Sequence, residues 1–216
     1  VLMAQGVSVP PVILYFHENQ LSYPWSPNDP DVSLKRDLHY CYMNWVSALS
    51  AVKVLFNSQY HYDSFFDSLL KFLHKFPDHL EKETVQLIKD KSEVLSLGMG
   101  LLTVDKRLKE SKVPTLLWNH RWEYDKNPED FFQSLFEISD KGVPFQLVVT
   151  GHEKSQSPTI FSQAKEKLNQ HIIHWGFCEN KEEYHKLLLA CDILPVTGIQ
   201  DFFGISVVEA ISAGVV

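Results

Sequence analysis

The chain has 216 residues, of which 44% are hydrophobic and 22% are charged, and its formal net charge is −7. No apolar run reaches the roughly 18 residues of a membrane-spanning helix, and the negative charge argues against a broadly basic surface that coats nucleic acid. Three widely spaced cysteines predict buried free thiols, and ten scattered histidines lack the paired spacing of a zinc site. We therefore expect a cytoplasmic protein without membrane association, with the nucleus as an open alternative.

The first half of the chain alternates short apolar runs with longer amphipathic ones, which predicts strands and helices in turn. The predicted strands are 12–16, 52–56 and 93–97, and the predicted helices are 34–49, a helix that Ser58 caps and that continues to Leu73, and 77–89. Residues 98–113 break this rhythm with two glycines and a charged run at 105–110. We therefore predict a first domain over 1–105 and a linker over 106–113.

The alternation resumes in a second predicted domain over 114–216. Its predicted strands are 115–118, 145–149, 172–175 and 192–195, and its predicted helices are 128–139, 158–168, 181–190 and 204–213. This order indicates an α/β fold with parallel sheets covered on both faces, and it places the ligand cleft between two domains at the carboxyl ends of the strands. The chain opens without a first βα unit and stops at Val216, where another strand should begin. We therefore expect the sequence to be truncated at both ends.

The most specific stretch surrounds the start of the last predicted helix. Asp201 ends the loop before that helix, and Glu209 follows eight positions later. Backbone N–H groups from Phe203 through Gly204 to Ile205 could hold a diphosphate with the help of the helix dipole. Glu209 could then accept hydrogen bonds from a ribose, and Asp201 from the hydroxyls of a donor sugar. The alternative is a helix with an acidic amino terminus and one surface glutamate.

Two basic residues lie five positions apart in the loop after the predicted strand 115–118. The planar guanidinium of Arg121 and the mobile ammonium of Lys126 suit a diphosphate whose charge grows as the donor bond breaks. The alternative is a solvated charged loop.

His17 follows the first predicted strand at its carboxyl end, where side chains that face a ligand lie in open α/β sheets. It could contact the donor sugar or orient the acceptor, and a structural histidine is the alternative.

Further polar residues follow the first two predicted strands. Glu18 and Asn19 are candidates for the acceptor side, and so are Asn57 and Ser58, although a helix cap is the favoured interpretation of that pair. The D-x-D sequence at 29–31 has the spacing of a divalent-metal motif. It lies in a proline-rich loop and not at a strand end, so we predict no metal there.

These stretches resemble the glycosyltransferase family 4 enzymes, whose GT-B fold has two Rossmann-like domains that face each other across a cleft. Asp201 and Glu209 match the spacing of the family's E-x7-E motif, although aspartate stands where the family usually has the first glutamate. Arg121 and Lys126 match the family's phosphate-binding pair. The resemblance implies a nucleotide-sugar donor, with His17 and Asp201 as catalytic residues.

Five blocks resemble more narrowly the tRNA-queuosine α-mannosyltransferases. They are residues 15–24, 54–58, 120–128, 174–176 and 202–204. This resemblance runs through nearly all of the chain and implies transfer of mannose from GDP-mannose to queuosine in the tRNA anticodon, with retention at the anomeric carbon and without a metal or cofactor. Two alternatives stay open: a family 4 transferase with a lipid or glycan acceptor, and a nucleotide-sugar-binding protein without turnover. The oligomeric state is left open.

Overall fold

A computed structural model describes residues 10–26, 29–34, 38–78, 81–102, 112–154 and 157–216. The chain divides into two compact units, Val1–Gly98 and Met99–Val216, and each contains a three-stranded sheet. All strand pairs in both sheets are parallel, which confirms the predicted α/β class. The division between the units precedes the predicted linker 106–113, most of which lies outside the described residues together with the charged run at 105–110. Among the described residues, no helix is long and apolar enough to cross a membrane.

The first unit places its strands in the order β1-β2-β3. Its elements are β1 (Ile13–Phe16), α1 (Pro30–Ser33), α2 (His39–Ser50), β2 (Lys53–Phe56), α3 (Gln59–Leu73), α4 (Lys82–Lys89) and β3 (Ser92–Val94). The core forms where the sheet meets α3: the Phe56 ring is fully buried, with ring centroids 5.3 Å from Phe16 and 5.1 Å from Phe65. Aromatic pairs at this separation stabilise the fold beyond the contribution of the apolar surface that they bury.

Ser58 caps α3 as predicted, because its side chain accepts a hydrogen bond from the backbone N–H of His61. The predicted helix 34–49 is wrong at its start. Asp29 instead caps the short helix α1, with Pro30 in its first turn, and Leu34 ends it. This is the ordinary arrangement of a cap followed by proline at the first helical position. The longer helix α2 begins only at His39.

Two further boundaries of the first unit differ from the predicted ones. The helix predicted from Pro77 begins at Lys82, after Glu81, whose φ of 45° is left-handed and cannot continue a right-handed helix. The strand predicted over 93–97 is β3, which ends at Val94 because Val94 pairs with the last residue of β2, Phe56. The apolar run 12–16 favours a buried strand, yet in β1 Ile13 is 63% exposed and only Phe16 is buried.

The second unit places its strands in the order β4-β5-β6. Its elements are β4 (Thr115–Trp118), α5 (Pro128–Asp140), β5 (Gln146–Thr150), α6 (Ile160–Lys167), β6 (Ile172–Gly176), α7 (Lys181–Ala190) and α8 (Ile205–Ser212), with 3-10 turns at Tyr124–Lys126 and Asn169–His171. The bounds of β4 and α7 agree with the predicted ones, and the other predicted elements differ by one or two residues, except at 192–195.

Helices cover both faces of this second sheet. Leu116 and Trp118 of β4 belong to one buried cluster with residues of α5 and α6. Leu117, between them, belongs to a second cluster with Leu188 of α7 and Ala210 of α8. Because successive side chains of a strand point to opposite faces, a sheet buried on both faces yields a continuous apolar run.

The strand predicted at 192–195 is wrong as a strand of its own. Only Ile193 bridges β4, at Leu116, although Leu194 donates a backbone hydrogen bond to Val216 at 2.8 Å. Pro195 has no N–H to donate, so the pairing cannot extend through it. The segment nevertheless flanks β4, so β4 has a neighbour at each edge as well as helices on both faces, and all four of its residues are buried.

Candidate functional site

Two loops of the second unit are tied together at the carboxyl end of its sheet. The loop after β4 turns through Tyr124–Lys126 and enters α5 at Pro128. The loop before α8 lies against it: the backbone N–H of Ile199 donates to the carbonyl of Asp125 at 2.8 Å, and the hydroxyl of Thr197 donates to the carbonyl of Lys126 at 3.0 Å. The hydrogen bonds therefore bring residues more than 70 positions apart into one site.

Lys126 is the centre of the charges in this site. Its ammonium lies 2.6 Å from Oδ1 of Asp201 and 3.0 Å from Oδ2 of Asp125. The Lys126 side chain is only 7% exposed and that of Asp125 only 2%. A charged group this deeply buried needs partners of opposite charge, and here it has two. The solvated-loop alternative therefore does not describe Lys126.

Arg121 lies on the exposed side of the same cluster. Its guanidinium is 2.9 Å from Oε2 of Glu123 and 3.8 Å from Oδ2 of Asp125, and its side chain is 58% exposed. Arg121 and Lys126 thus share the Asp125 carboxylate, which holds the two cations close together. An exposed guanidinium beside a buried ammonium presents cationic groups at two depths, which suits an anion that reaches from solvent into the loop.

His120 lies buried beside this cluster and was not predicted as a site residue. Its Nδ1 is 3.2 Å from the hydroxyl of Ser206 in α8, and its Nε2 is buried without a hydrogen-bond partner among the described residues. Burial lowers the pKa of His120 to about 4, and the Lys126 ammonium acts in the same direction while Asp201 and Asp125 oppose it. The imidazole is therefore neutral near pH 7.

Gly204 stands at the start of α8, as the sequence predicts, and phosphate binding by this turn stays a prediction. Gly204 is its N-cap with a φ of 73°, in the left-handed region that favours glycine, and no side chain caps the helix. Phe203 is half-buried and Ile205 is exposed at the first helical position. The backbone N–H groups of this first turn are not needed within the helix, so they can donate to an anion.

Glu209 lies one turn further along α8 and is held from α7. The hydroxyl of Tyr184 donates to Oε2 of Glu209 at 3.0 Å. The same hydroxyl accepts a hydrogen bond from Nδ2 of Asn119 at 3.2 Å, and Nδ2 also donates to the backbone carbonyl of Ser206 at 2.7 Å. Burial and the Glu209 charge both raise the pKa of Tyr184, so its hydroxyl stays protonated and can donate. Glu209 is thus part of a polar chain and not an isolated surface glutamate.

In the first unit, three residues follow β1 in succession. The side chains of His17 and Glu18 are exposed, and the His17 ring packs edge-on against Tyr15. Asn19 is fully buried; its Oδ1 accepts hydrogen bonds from the backbone N–H groups of Leu21 and Ser22, both at 3.0 Å. Asn19 therefore shapes its own turn, while the catalytic role of His17 and the acceptor-side roles of Glu18 and Asn19 stay predictions.

Asn57 and Ser58 also make local contacts in the first unit. Nδ2 of Asn57 donates to the carbonyl of His17 at 2.9 Å, and its Oδ1 lies 2.8 Å from Nδ1 of His61. Asn57 thus joins the carboxyl ends of β1 and β2, and Ser58 serves as the α3 cap. Their role on the acceptor side stays a prediction.

In the D-x-D sequence, Oδ1 of Asp29 accepts from the backbone N–H of Asp31 at 2.9 Å, so that carboxylate caps α1.

The structure brings the residues predicted for the donor site close together, and their roles stay predictions. Arg121 and Lys126 lie together, Asp201 contacts Lys126 directly, and Glu209 follows on the same helix that Gly204 begins. Asp125, His120, Asn119 and Tyr184 were missed. The apolar strand 115–118 could have pointed to Asn119 and His120, because polar residues directly after a buried strand lie at the ligand edge of the sheet. No local signal distinguishes Tyr184 within an amphipathic helix.

Two family models match the chain, one for each unit. The model described as "Glycosyl transferases group 1" matches residues 103–216, which is more than half of the chain. The model described as "tRNA-queuosine alpha-mannosyltransferase N-terminal" matches residues 1–99. Among curated relatives, the tRNA-queuosine alpha-mannosyltransferase of Drosophila melanogaster is 34% identical over 212 residues. That match covers 94% of this chain and 55% of the relative, so the chain spans just over half of the relative's length.

Solved structures of low sequence identity share the fold. The crystal structure of TarM matches with a TM-score of 0.60 at 14% identity, over 94% of this chain and 35% of that one. The structure of Anabaena HepE in complex with UDP and glucose matches with a TM-score of 0.59 at 14% identity, over 99% of this chain and 53% of that one. These likenesses identify the fold as that of the GT-B glycosyltransferases.

Proposed function

The chain belongs to the family of group 1 glycosyl transferases. From this membership, together with the family match of the first unit and the Drosophila relative, we propose that the protein transfers mannose from GDP-mannose to queuosine in the tRNA anticodon. The reaction proceeds with retention at the anomeric carbon and without a metal. The protein acts in the cytoplasm, where it binds a nucleotide-sugar donor and a tRNA acceptor. The donor half of this proposal rests on the site in the second unit, and the acceptor half rests on the first unit.

The observation that carries the acceptor is the family match of the first unit. Residues 1–99 match the N-terminal model of tRNA-queuosine alpha-mannosyltransferases, and the Drosophila relative of that name is similar along nearly the whole chain. Group 1 glycosyl transferases as a class do not share one acceptor, so a match confined to residues 103–216 would leave the acceptor open. The match of the first unit favours queuosine in tRNA over a lipid or a glycan.

The donor assignment is supported by the charges around Lys126. Its ammonium has three N–H donors, and besides Asp201 and Asp125 it has the carbonyl of Gln200 at 3.5 Å. A phosphate oxygen can replace that long contact while both carboxylates stay as partners. Arg121 adds a guanidinium from the exposed side, and the uncapped first turn of α8 adds backbone N–H groups. These are the group types that stabilise the negative charge of a departing nucleoside diphosphate.

Each acidic residue has a separate task in the transfer. Glu209 accepts hydrogen bonds from the ribose, and Asp201 orients the sugar from its position beside Lys126. The bond between the anomeric carbon and the diphosphate oxygen breaks as the acceptor hydroxyl attacks from the same face. The hydroxyl proton then passes to the departing phosphate oxygen beside it, so no covalent enzyme intermediate is needed.

The test is mannose transfer by the full-length protein to queuosine-containing tRNA. The tRNA is incubated with GDP-mannose in the presence of EDTA, digested to nucleosides and examined by mass spectrometry for queuosine that has gained a hexose. Arg121→Ala and Glu209→Ala should each lower the yield at least about 10-fold, the scale of one lost charge-assisted hydrogen bond. Lys141→Ala is the matched control, because Lys141 is the C-cap of α5 and its side chain is 71% exposed.

The outcomes separate the two halves of the proposal. A hexose adduct that is lost in both site variants and kept in the control supports donor and acceptor together. Binding of GDP-mannose without an adduct would contradict the queuosine acceptor and leave the donor site standing. If GDP-mannose does not bind, the donor assignment is wrong. An adduct that forms only when divalent metal is added back would contradict the metal-independent mechanism.

A further inference from the structure

The contacts of Glu209 point to two residues that act on it from other elements. We propose that Tyr184 and Asn119 are positioning residues that hold the Glu209 carboxylate in the orientation in which it accepts hydrogen bonds from the donor ribose. This inference rests on the donor role of Glu209 in the proposed function. It assigns a task in the site to α7, an element in which the sequence indicates no site residue.

The direction of every hydrogen bond in this chain is fixed. Nδ2 of Asn119 must donate to the carbonyl of Ser206, since a carbonyl oxygen only accepts, and this determines which end of the amide faces Tyr184. The second N–H of the same amide group then donates to the Tyr184 oxygen at 3.2 Å. The only proton of the tyrosine hydroxyl is therefore directed to Glu209, 3.0 Å away.

With the Tyr184 hydroxyl as donor, one of the two oxygens of the Glu209 carboxylate already accepts a hydrogen bond. Its Oε2 accepts from Tyr184, while a carboxylate has two oxygens that can both accept. The remaining oxygen can accept from a ribose hydroxyl, and the Tyr184 hydrogen bond restricts rotation about the end of the Glu209 side chain. A hydrogen bond to a charged group is stronger than one between neutral groups, so this restraint is substantial.

The burial of Asn119 and Tyr184 favours the protonated tyrosine hydroxyl that donates to Glu209. Asn119 is only 8% exposed, and Tyr184 packs against the buried cluster that includes Leu188 and Ala210. Burial raises the pKa of Tyr184, so the hydroxyl is protonated at neutral pH and can donate to Glu209. The polar chain therefore links the loop after β4 with α7 and α8 at the place where the ribose is expected.

The test compares the binding of GDP with that of its dideoxyribose analogue, which lacks both ribose hydroxyls. Calorimetric titrations are made on the full-length protein and on Glu209→Ala, Tyr184→Phe and Asn119→Ala. We expect the wild-type protein to prefer GDP by about 10-fold or more, the usual scale of a hydrogen bond to a carboxylate. Tyr184→Phe and Asn119→Ala should lose most of that preference through weaker GDP binding, with unchanged binding of the analogue.

A double variant and a control separate positioning from general stability. Tyr184→Phe should have no further effect on GDP binding in the Glu209→Ala background, because residues in one hydrogen-bonded chain are not additive. Tyr62→Phe is the matched control, since Tyr62 is half-buried against Phe56 and Phe66 in the first unit. It should leave the preference for GDP intact.

Two results would overturn the inference, and they differ from each other. If Glu209→Ala loses the preference while Tyr184→Phe and Asn119→Ala keep it, Glu209 contacts the ribose without help and the positioning roles are wrong. If the wild-type protein shows no preference and Glu209→Ala binds GDP normally, the ribose role of Glu209 is wrong and the positioning roles are wrong with it.

Discussion

Lys126→Met removes the ammonium of Lys126 and keeps a long apolar side chain in its place. The ammonium lies 2.6 Å from Asp201 and 3.0 Å from Asp125, and the side chains of Lys126 and Asp125 are 7% and 2% exposed. The substitution therefore takes a cation away from a carboxylate that is almost completely desolvated. We expect it to affect both the stability of the protein and its affinity for a nucleoside diphosphate.

The structure indicates how large each effect should be. Removing one member of a buried ion pair costs roughly 3–5 kcal/mol, because it leaves a buried charge poorly compensated. We expect the lower end, about 3 kcal/mol, since the Arg121 guanidinium still lies 3.8 Å from the Asp125 carboxylate. For a chain of this size that corresponds to a fall in Tm of roughly 6–12 °C. Arg121→Met, at a side chain 58% exposed, should cost no more than about 1 kcal/mol.

The assay combines thermal unfolding with calorimetric binding of GDP. Both variants should bind GDP more weakly, but only Lys126→Met should unfold at a clearly lower temperature. The double variant Asp125→Asn with Lys126→Met should recover most of the lost stability, because a neutral amide needs no cation nearby, and it should not recover GDP binding. Equal Tm losses in the two single variants would refute this reasoning, and so would a double variant less stable than Lys126→Met.

Two further predictions concern pH and backbone strain. The imidazole of His120 binds a proton near pH 6.5 in the unfolded chain and only near pH 4 when it is buried, so the free energy of unfolding should fall as the pH falls through this range. His120→Gln should reduce that fall by roughly 3 kcal/mol. Urea unfolding at each pH measures the free energy, and the same pH dependence in His120→Gln would contradict the prediction. Gly151→Ala should destabilise the second unit by roughly 1–3 kcal/mol, because Gly151 has a φ of +131° and a Cβ there would overlap Nε1 of Trp122. Gly98→Ala is the control, since a Cβ at Gly98 would meet nothing within 4 Å, and equal Tm values for the two alanine variants would contradict the prediction.

The sequence allows the layers of the fold to be predicted because the signals for them are local. β4 and α7 have the bounds expected from an apolar run and an amphipathic run. In the structure Asn180 caps α7 by accepting a hydrogen bond from the backbone N–H of Glu183. The prediction at 192–195 failed because Pro195 has no N–H to continue the pairing, so the apolar run forms only one bridge to β4. Periodicity along the chain does not contain that information.

The site could be predicted only in part from the sequence. The residue types and spacing of Arg121 and Lys126 indicate phosphate chemistry without any knowledge of the fold. The ion pair between Lys126 and Asp201 joins residues 75 positions apart, and the hydrogen bond between Asn119 and Tyr184 joins residues 65 apart. Such contacts are created by the tertiary fold, so a single sequence offers no pattern from which to derive them.

The aromatic core of the second unit contains tryptophans whose intrinsic fluorescence should report on the candidate site. Trp122 directly follows Arg121, stacks on Phe161 with ring centroids 4.3 Å apart, and donates from its indole N–H to the carbonyl of Thr150 at 3.1 Å. Trp118 and Trp122 are almost completely excluded from water, so their fluorescence should be blue-shifted and sensitive to small movements of the loop that contains Arg121. We therefore expect nucleotide binding and unfolding of the second unit to change the intrinsic emission, to which Trp25, Trp45 and Trp175 also contribute.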